Sequence, residues 1–146
     1  MNGEPNCRRR ATLAALACLL LPATGAIAQD PRAAQVQNVA REWLALADNL
    51  DAQATYKAAG PRFRQALTLQ RWLESLRKQR GQRGATVQRA AASTVFAKTF
   101  PGLNDPGDYA LIRFRTSFAN ETAGQESVTL EAGPDKTWRV IGYVIS

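Results

Sequence analysis

The sequence predicts a single α+β domain in which three N-terminal helices pack on one face of a curved, four-stranded antiparallel sheet. Apolar residues recur at steps of three and four as far as about residue 80, and after Gly84 the apolar pattern changes to a period of two. The connectors between the later stretches are short and rich in Gly, Pro, Asn or Asp, which is typical of turns between antiparallel strands. Helices followed by a meander of strands give a helical layer packed on a sheet.

The first 28 residues predict a secretory signal peptide. Arginines at positions 8–10 precede an uncharged stretch, residues 11–28, which is broken by Pro22 and ends in the small-residue pattern Ala26-Ile27-Ala28. A membrane anchor is the alternative, because roughly 20 apolar residues span a bilayer, but Pro22 and the small residues before Gln29 favour cleavage. We therefore expect one domain, residues 29–146, in the periplasm or outside the cell, with no membrane span after cleavage.

Three helices follow in order. The first begins at about Ala34 and runs for about four turns, Asp51 is a candidate N-cap of a short second helix that stops at Gly60-Pro61, and Thr68 is a candidate N-cap of the third. Between the second and third lies a turn-rich link with Phe63 and Leu67. The apolar stripes consist of Val36, Val39, Trp43, Ala47 and Leu50, then Ala54, Tyr56 and Ala59, then Leu69, Trp72, Leu73 and Leu76. On the third helix, Arg71, Arg77, Lys78 and Arg80 are expected to face outward.

Four strands are expected, at residues 85–99, 108–118, 127–131 and 137–145. On the second strand, Ala110, Ile112, Phe114, Thr116 and Phe118 should meet the helices. On the last strand, Trp138, Val140 and Val144 share one face, and Ile141, Tyr143 and Ile145 share the other. Because both faces are apolar, we expect either a homodimer through the open sheet face or sheet curvature that covers the second face.

Missing residue types exclude several kinds of chemistry. The chain has no histidine, and both cysteines, Cys7 and Cys18, lie in the predicted leader. The domain therefore has no Ser-His-Asp or Cys-His nucleophile, no zinc site of the His/Cys kind and no haem ligated by imidazole or thiolate. We expect no metal and no cofactor, and stability that comes from packing without a disulfide.

The charge is concentrated in the middle of the chain. Loss of the leader lowers the net charge from +7 to +5, and residues 57–98 carry ten basic residues against one acid, Glu74. This segment is either a surface for an anionic partner or a solvated helix face. The segment lacks a motif for entering a nucleic-acid groove, so we favour the solvated face and expect no nucleic acid as partner.

Glu126 is the acid whose position in the pattern suggests a site. It shares a strand face with Val128 and Leu130, and a carboxylate on a core face must be paired or protonated. Arg89, placed by alternation on one face with Val87, Ala91 and Val95, is its candidate partner. Glu126 is then either structural, as one half of an ion pair or a strand-end residue in solvent, which we favour, or a general base of raised pKa. The aromatic residues Trp43, Tyr56, Phe63, Trp72, Trp138 and Tyr143 are expected to form the core, with a ligand pocket as the alternative.

Several segments resemble a known family. They are "VAREWLALADNLDAQATYKAAGPRFRQALTLQRWLESL", "FPGLNDPGDYALIRFRTSFAN" and "ESVTLEAGPDKTWRVIGYVIS", and the most specific features are the spacing of Trp43, Tyr56, Phe63 and Trp72 and the ending "W-R-V-x-G-Y". They resemble the bacterial exported family catalogued as domain of unknown function 4019, over about residues 39–145. The resemblance implies export and an architecture similar to the nuclear transport factor 2-like, or cystatin-like, fold. The resemblance implies no catalytic residues, because the family has no established activity. This sequence departs from the family pattern in the turn "GPDK".

Two classes of function agree with these observations. The first is a non-catalytic binding or protein-interaction module, with a small apolar ligand in the helical cone or a partner on the sheet. The second is a small isomerase- or dehydratase-like enzyme that uses Glu126 with Tyr56 or Tyr143, a reading that depends on fold analogy. The lack of histidine favours the first class.

Overall fold

The computed structural model describes residues 30–146, and within this range it has four helices followed by four strands. The helices are α1 Arg32–Asp48, α2 Ala52–Ala58, α3 Pro61–Ala66 and α4 Leu69–Gly81. The strands are β1 Thr86–Ala97, β2 Tyr109–Phe118, β3 Glu121–Ala132 and β4 Trp138–Ile145. The expected α+β class is confirmed. The predicted signal peptide, residues 1–28, lies outside the described residues.

The helix boundaries follow from local chemistry. The Asp51 side chain accepts a hydrogen bond from the Ala54 amide at 2.8 Å, and the Thr68 hydroxyl accepts one from the Arg71 amide at 3.3 Å, so both predicted N-caps are confirmed. The stretch expected to be a link contains a helix, α3, whose first residue is Pro61. Proline is favoured at this position because its missing N–H has no partner there in any case, and six residues are too few to show a helical period.

The sheet is an antiparallel meander in the order β1-β2-β3-β4. The third strand begins at Glu121, earlier than expected, and Gly124 and Gln125 pair with Thr116 and Arg115 of β2. The polar composition of this segment indicated a loop, but backbone pairing continues because ladder hydrogen bonds do not depend on the side chains. No helix in the described part of the chain is long and apolar enough to cross a membrane.

The helices cover one face of the sheet. On β2 the predicted alternation is confirmed, since Ala110, Ile112, Phe114, Thr116 and Phe118 are all buried. Val128, Leu130 and Val140 from the next two strands join the same core as Val36, Leu44 and Leu76 from the helices. This shared face also carries Glu126, which places a carboxylate inside the domain.

A β-bulge changes the alternation of β4. Leu130 pairs with Val140 and Thr129 pairs with Gly142, so Ile141 is the extra residue. Beyond it, Tyr143 lies on the helix side and is buried, whereas Val144 is 60% exposed, so the sequence-based placement of these two residues is wrong. Tyr143 and Ile145 therefore pack on the core side. The outward residues of β3 that pair with Val144 and Gly142, Ser127 and Thr129, are polar.

Bulges also interrupt β1, near Val87 and near Ala92. Arg89 and Ala91 remain on the helix side, because they pair with Thr116 and Phe114. Val87 and Val95, which were expected to share that face, are 70% and 50% exposed. One extra residue reverses the faces of all residues that follow it, so strict alternation fails on this strand.

Candidate functional site

The candidate site is built around Glu126, whose side chain is fully buried between the sheet and the helices. β3 positions it, because Glu126 pairs with Phe114 of β2 and Ile145 of β4. A buried carboxylate is costly unless it is paired and hydrogen-bonded. The contacts around Glu126 therefore decide whether it is structural or reactive.

Both carboxylate oxygens of Glu126 accept two hydrogen bonds each. Oε1 accepts from Arg80 Nη2 at 2.5 Å and from the Tyr143 hydroxyl at 2.7 Å. Oε2 accepts from Arg89 Nε and from the Thr116 hydroxyl, both at 2.6 Å. The structure thus places the predicted partner Arg89 in contact with Glu126. Four donors occupy about the full number of acceptor positions of a carboxylate.

A second carboxylate, Asp48 at the end of α1, closes these contacts into a ring. Asp48 Oδ1 accepts from Arg80 Nη1 at 2.5 Å, from Arg89 Nη2 at 2.7 Å and from the Thr86 hydroxyl at 2.8 Å, and Oδ2 accepts from Arg89 Nη1 at 2.9 Å. Each arginine therefore bridges both acids. We call Asp48, Arg80, Arg89 and Glu126 the buried ion network; its two positive and two negative charges balance.

Sequence reasoning missed Asp48 and Arg80. Arg80 was assigned to the outward face of its helix, but it is 4% exposed, so that assignment is wrong. The spacing carried a signal, since Trp72, Leu76 and Arg80 follow one another at four-residue steps on the buried face of α4. Asp48 carried a weaker signal because it occupies the last turn of α1, where a polar residue is commonplace.

The network holds its acids in the charged form. Burial alone would raise the pKa of Asp48, but hydrogen bonds from Arg89 and Thr86 and the charges of Arg89 and Arg80 outweigh burial and lower this pKa to about 2. Burial opposes a low pKa for Glu126 in the same way, and bonds from Arg89, Thr116 and Tyr143 nevertheless hold that pKa below its ordinary value. Burial and the Glu126 charge raise the pKa of Tyr143.

This arrangement is unsuited to acid–base catalysis by Glu126. A general base needs a free lone pair and a pKa near the working pH, and Glu126 has neither. Tyr56, proposed as a second catalytic group, is not part of the network, because its hydroxyl donates to the Leu67 carbonyl at 2.9 Å. No group of His, Cys, Asp or Glu that could hold a metal ion occurs among residues 30–146.

The aromatic residues fill the space beside the network. Trp43 Nε1 donates to the Thr55 carbonyl at 3.0 Å, and Trp72 Nε1 donates to the Thr55 hydroxyl at 2.8 Å. These bonds satisfy both buried indole N–H groups. Ring centroids 5.1 to 6.2 Å apart connect Trp43, Tyr56, Phe63, Trp72 and Tyr143, and Trp138 packs separately against Phe96.

An open groove lies on the outside of this core, between α1, the end of α2 and the first half of β4. Its volume is about 490 Å³. We call it the α1–β4 groove. It is lined by Val39, Glu42, Trp43, Leu46, Ala58, Thr137, Trp138, Arg139 and Val140. Glu42 and Arg139 are its two charged residues, and most of the others are apolar.

Five of the ten basic residues between positions 57 and 98 form ion pairs. Arg80 and Arg89 belong to the buried ion network. Arg62 bridges Glu131 at 3.0 Å, Arg83 bridges Glu121 at 2.6 Å, and Lys98 bridges Asp108. The exposed basic residues left over are Lys57, Arg64, Arg71, Arg77 and Lys78. The expected solvated face therefore consists of these five residues, and the other five basic residues of the segment form ion pairs.

Comparison with known proteins yields one match. The family model described as "Protein of unknown function (DUF4019)" matches residues 39–143. The searches of the curated proteins and of the solved structures found no match. The similarity to the nuclear transport factor 2-like or cystatin-like architecture is therefore not confirmed.

Proposed function

The chain belongs to the DUF4019 family of proteins of unknown function, and from that premise we propose that it is an exported, non-catalytic binding module. Its ligand is a small apolar molecule, and the binding site is the α1–β4 groove. The helices and the sheet then serve as a rigid scaffold for this surface site.

The shape and lining of the groove carry the proposal. Sites for small molecules are concave, mostly apolar and of about 300–1,000 Å³, and the groove has about 490 Å³ with Val39, Leu46, Trp138 and Val140 on its walls. The interior between helices and sheet, where a ligand was expected, is occupied by the aromatic residues and the buried ion network. A ligand therefore binds outside this core.

The saturated state of Glu126 argues against the enzyme alternative. Its four hydrogen bonds and its lowered pKa leave no acceptor for a substrate proton. The proposal likewise omits the homodimer through the open sheet face. That expectation depended on Tyr143 and Ile145 facing outward, whereas Tyr143 is 7% exposed and Ile145 packs against the core.

Export is proposed from the first 28 residues. A basic start, an uncharged stretch and the pattern Ala26-Ile27-Ala28 are the features of a cleaved leader. The exported protein is expected to begin at Gln29 and to reside in the periplasm or outside the cell. Mass spectrometry of the protein from the producing cells measures this, and a mass that includes residues 11–28 would indicate an anchored protein instead.

Occlusion of the groove tests the binding proposal. Ala58, the exposed last residue of α2, lines the groove, and Ala58→Trp places an indole in it. The neutral fluorescent probe N-phenyl-1-naphthylamine is expected to bind the wild-type protein and to lose most of its affinity for this variant.

Ala66→Trp is the matched control. Ala66 is the exposed last residue of α3 and is not among the residues lining the groove. This variant is expected to bind the probe as the wild type does. Equal binding by both tryptophan variants would place the probe elsewhere and contradict the proposed site.

A further inference from the structure

Glu42 is the one charged residue lining the α1–β4 groove that has no ion-pair partner within residues 30–146. The one basic lining residue, Arg139, is engaged by Asp135, since Arg139 Nη1 and Nη2 lie 3.1 and 2.7 Å from the two Asp135 oxygens. An incoming charged group therefore meets a carboxylate that no ion pair occupies.

The two tryptophans of the groove contribute apolar wall. Trp43 and Trp138 both line the groove, and both side chains are buried in the core, 3% and 7% exposed. The lining charge that a ligand head group meets outside an ion pair is therefore the Glu42 carboxylate, which disfavours an anionic head group.

The edge of β4 limits the kind of occupant. The Gly60 amide donates to the Val140 carbonyl at 2.8 Å, so a backbone group on the free edge of β4 is already paired. An extended peptide that adds to a sheet edge needs a row of free backbone groups. The Gly60–Val140 bond interrupts the row of free backbone groups next to the groove. A small molecule is therefore a better occupant of the groove than an extended peptide.

We propose that the α1–β4 groove selects a small amphiphile whose apolar body carries a protonated amine. This inference rests on the proposed function, because it names the class of ligand for the same groove. The apolar body contacts Val39, Leu46 and Val140, and the ammonium group lies near the Glu42 carboxylate.

Three probes of equal chain length test the selection: decylamine, decanol and decanoate. Each is used below its micelle concentration at pH 7, where an alkylamine is protonated, to displace N-phenyl-1-naphthylamine. Decylamine is expected to bind about fivefold more tightly than decanol, as a partly exposed ion pair allows, and decanoate is expected to bind most weakly. High salt should reduce the advantage of the amine.

Glu42→Gln is expected to abolish the advantage of decylamine over decanol. Glu74→Gln is the matched control, because Glu74 is an exposed acid on α4 that does not line the groove. Equal affinities of decylamine and decanol for the wild type, or equal effects of the two variants, would overturn the charge selection. The groove proposal would still stand in that case, and it falls separately if neither the naphthyl probe nor decanol binds.

Discussion

Arg80 and Asp48 show how single residues in this domain depend on distant partners. Arg80 is 4% exposed and contacts Asp48, 32 positions before it, and Glu126, 46 positions after it. Its Nε also donates to the Tyr143 hydroxyl at 3.0 Å. A buried charge is tolerated only with such compensation, so each member of the network is held in place by the others.

Removal of Arg80 is therefore expected to destabilise the domain strongly. Arg80→Gln should lower the free energy of unfolding by about 3–5 kcal/mol, because it leaves the buried Glu126 and the partly buried Asp48 with one guanidinium. Arg77→Gln, on the exposed face of the same helix, should change it by less than about 0.5 kcal/mol. Urea denaturation of the two variants measures the difference, and similar midpoints would contradict the structural role of the network.

At the scale of the elements, local irregularities decide which face of a strand is buried. The extra residue Ile141 in β4 turns Tyr143 toward the helices, where its hydroxyl donates to Glu126. In β3 the adjustment is a missing side chain: Gly124 lies where a Cβ would collide with the Phe118 ring of β2. These adjustments fit the sheet around the helices and the buried ion network.

Alanine substitutions at two glycines, Gly124 in β3 and Gly81 in α4, are expected to have opposite effects on stability. A Cβ on Gly124 would lie 2.8 Å from Phe118 Cε2 and 3.1 Å from the Thr116 carbonyl oxygen. Gly124→Ala is therefore expected to cost about 1–3 kcal/mol of stability through overpacking.

Gly81→Ala should have the opposite sign. Nothing lies within 4 Å of a Cβ at Gly81, the last residue of α4, and alanine in a helix is favoured over glycine by about 0.5–1 kcal/mol. Thermal melts of both variants measure the contrast. A stabilising Gly124→Ala would show that the Phe118 ring can move aside.

The molecule as a whole combines a filled core with a buried ion network whose acids have lowered pKa values. The chain has no histidine, so no side chain with an ordinary pKa changes its charge between about pH 5 and 8. The acids of the buried ion network have lowered pKa values, and Tyr143 has a raised one. The pKa values of these acids and of Tyr143 therefore lie outside the neutral range.

Stability is therefore expected to be flat around neutral pH and to fall on both sides. A lowered acid pKa stabilises the fold above the unfolded pKa of about 4, and this contribution is lost as the pH falls toward about 2, the pKa of Asp48. A raised tyrosine pKa stabilises the fold below the unfolded pKa of about 10 and is lost above it. Urea midpoints between pH 2 and 11 measure the profile, and a sharp change between pH 5 and 8 would contradict it.

Much of the fold could be predicted from the amino-acid sequence, and part of the site as well. The period of apolar residues predicted three of the helices, and the turn chemistry predicted the meander. Alternation on β3 predicted a core-facing Glu126, and alternation on β1 suggested Arg89 as its partner. These properties depend on residues that are neighbours in the chain, so a linear pattern contains them.

Only the tertiary structure decided the remaining features: helix α3, the bulges of β1 and β4, the inward face of Tyr143, and the inclusion of Arg80 and Asp48 in the network. A bulge depends on which residues a strand faces in its neighbour, and a buried ion pair depends on side chains many positions apart. These features are decided when the helices and the sheet pack together. Only then are charged groups removed from water, which costs free energy, and brought into the ion pairs that offset this cost.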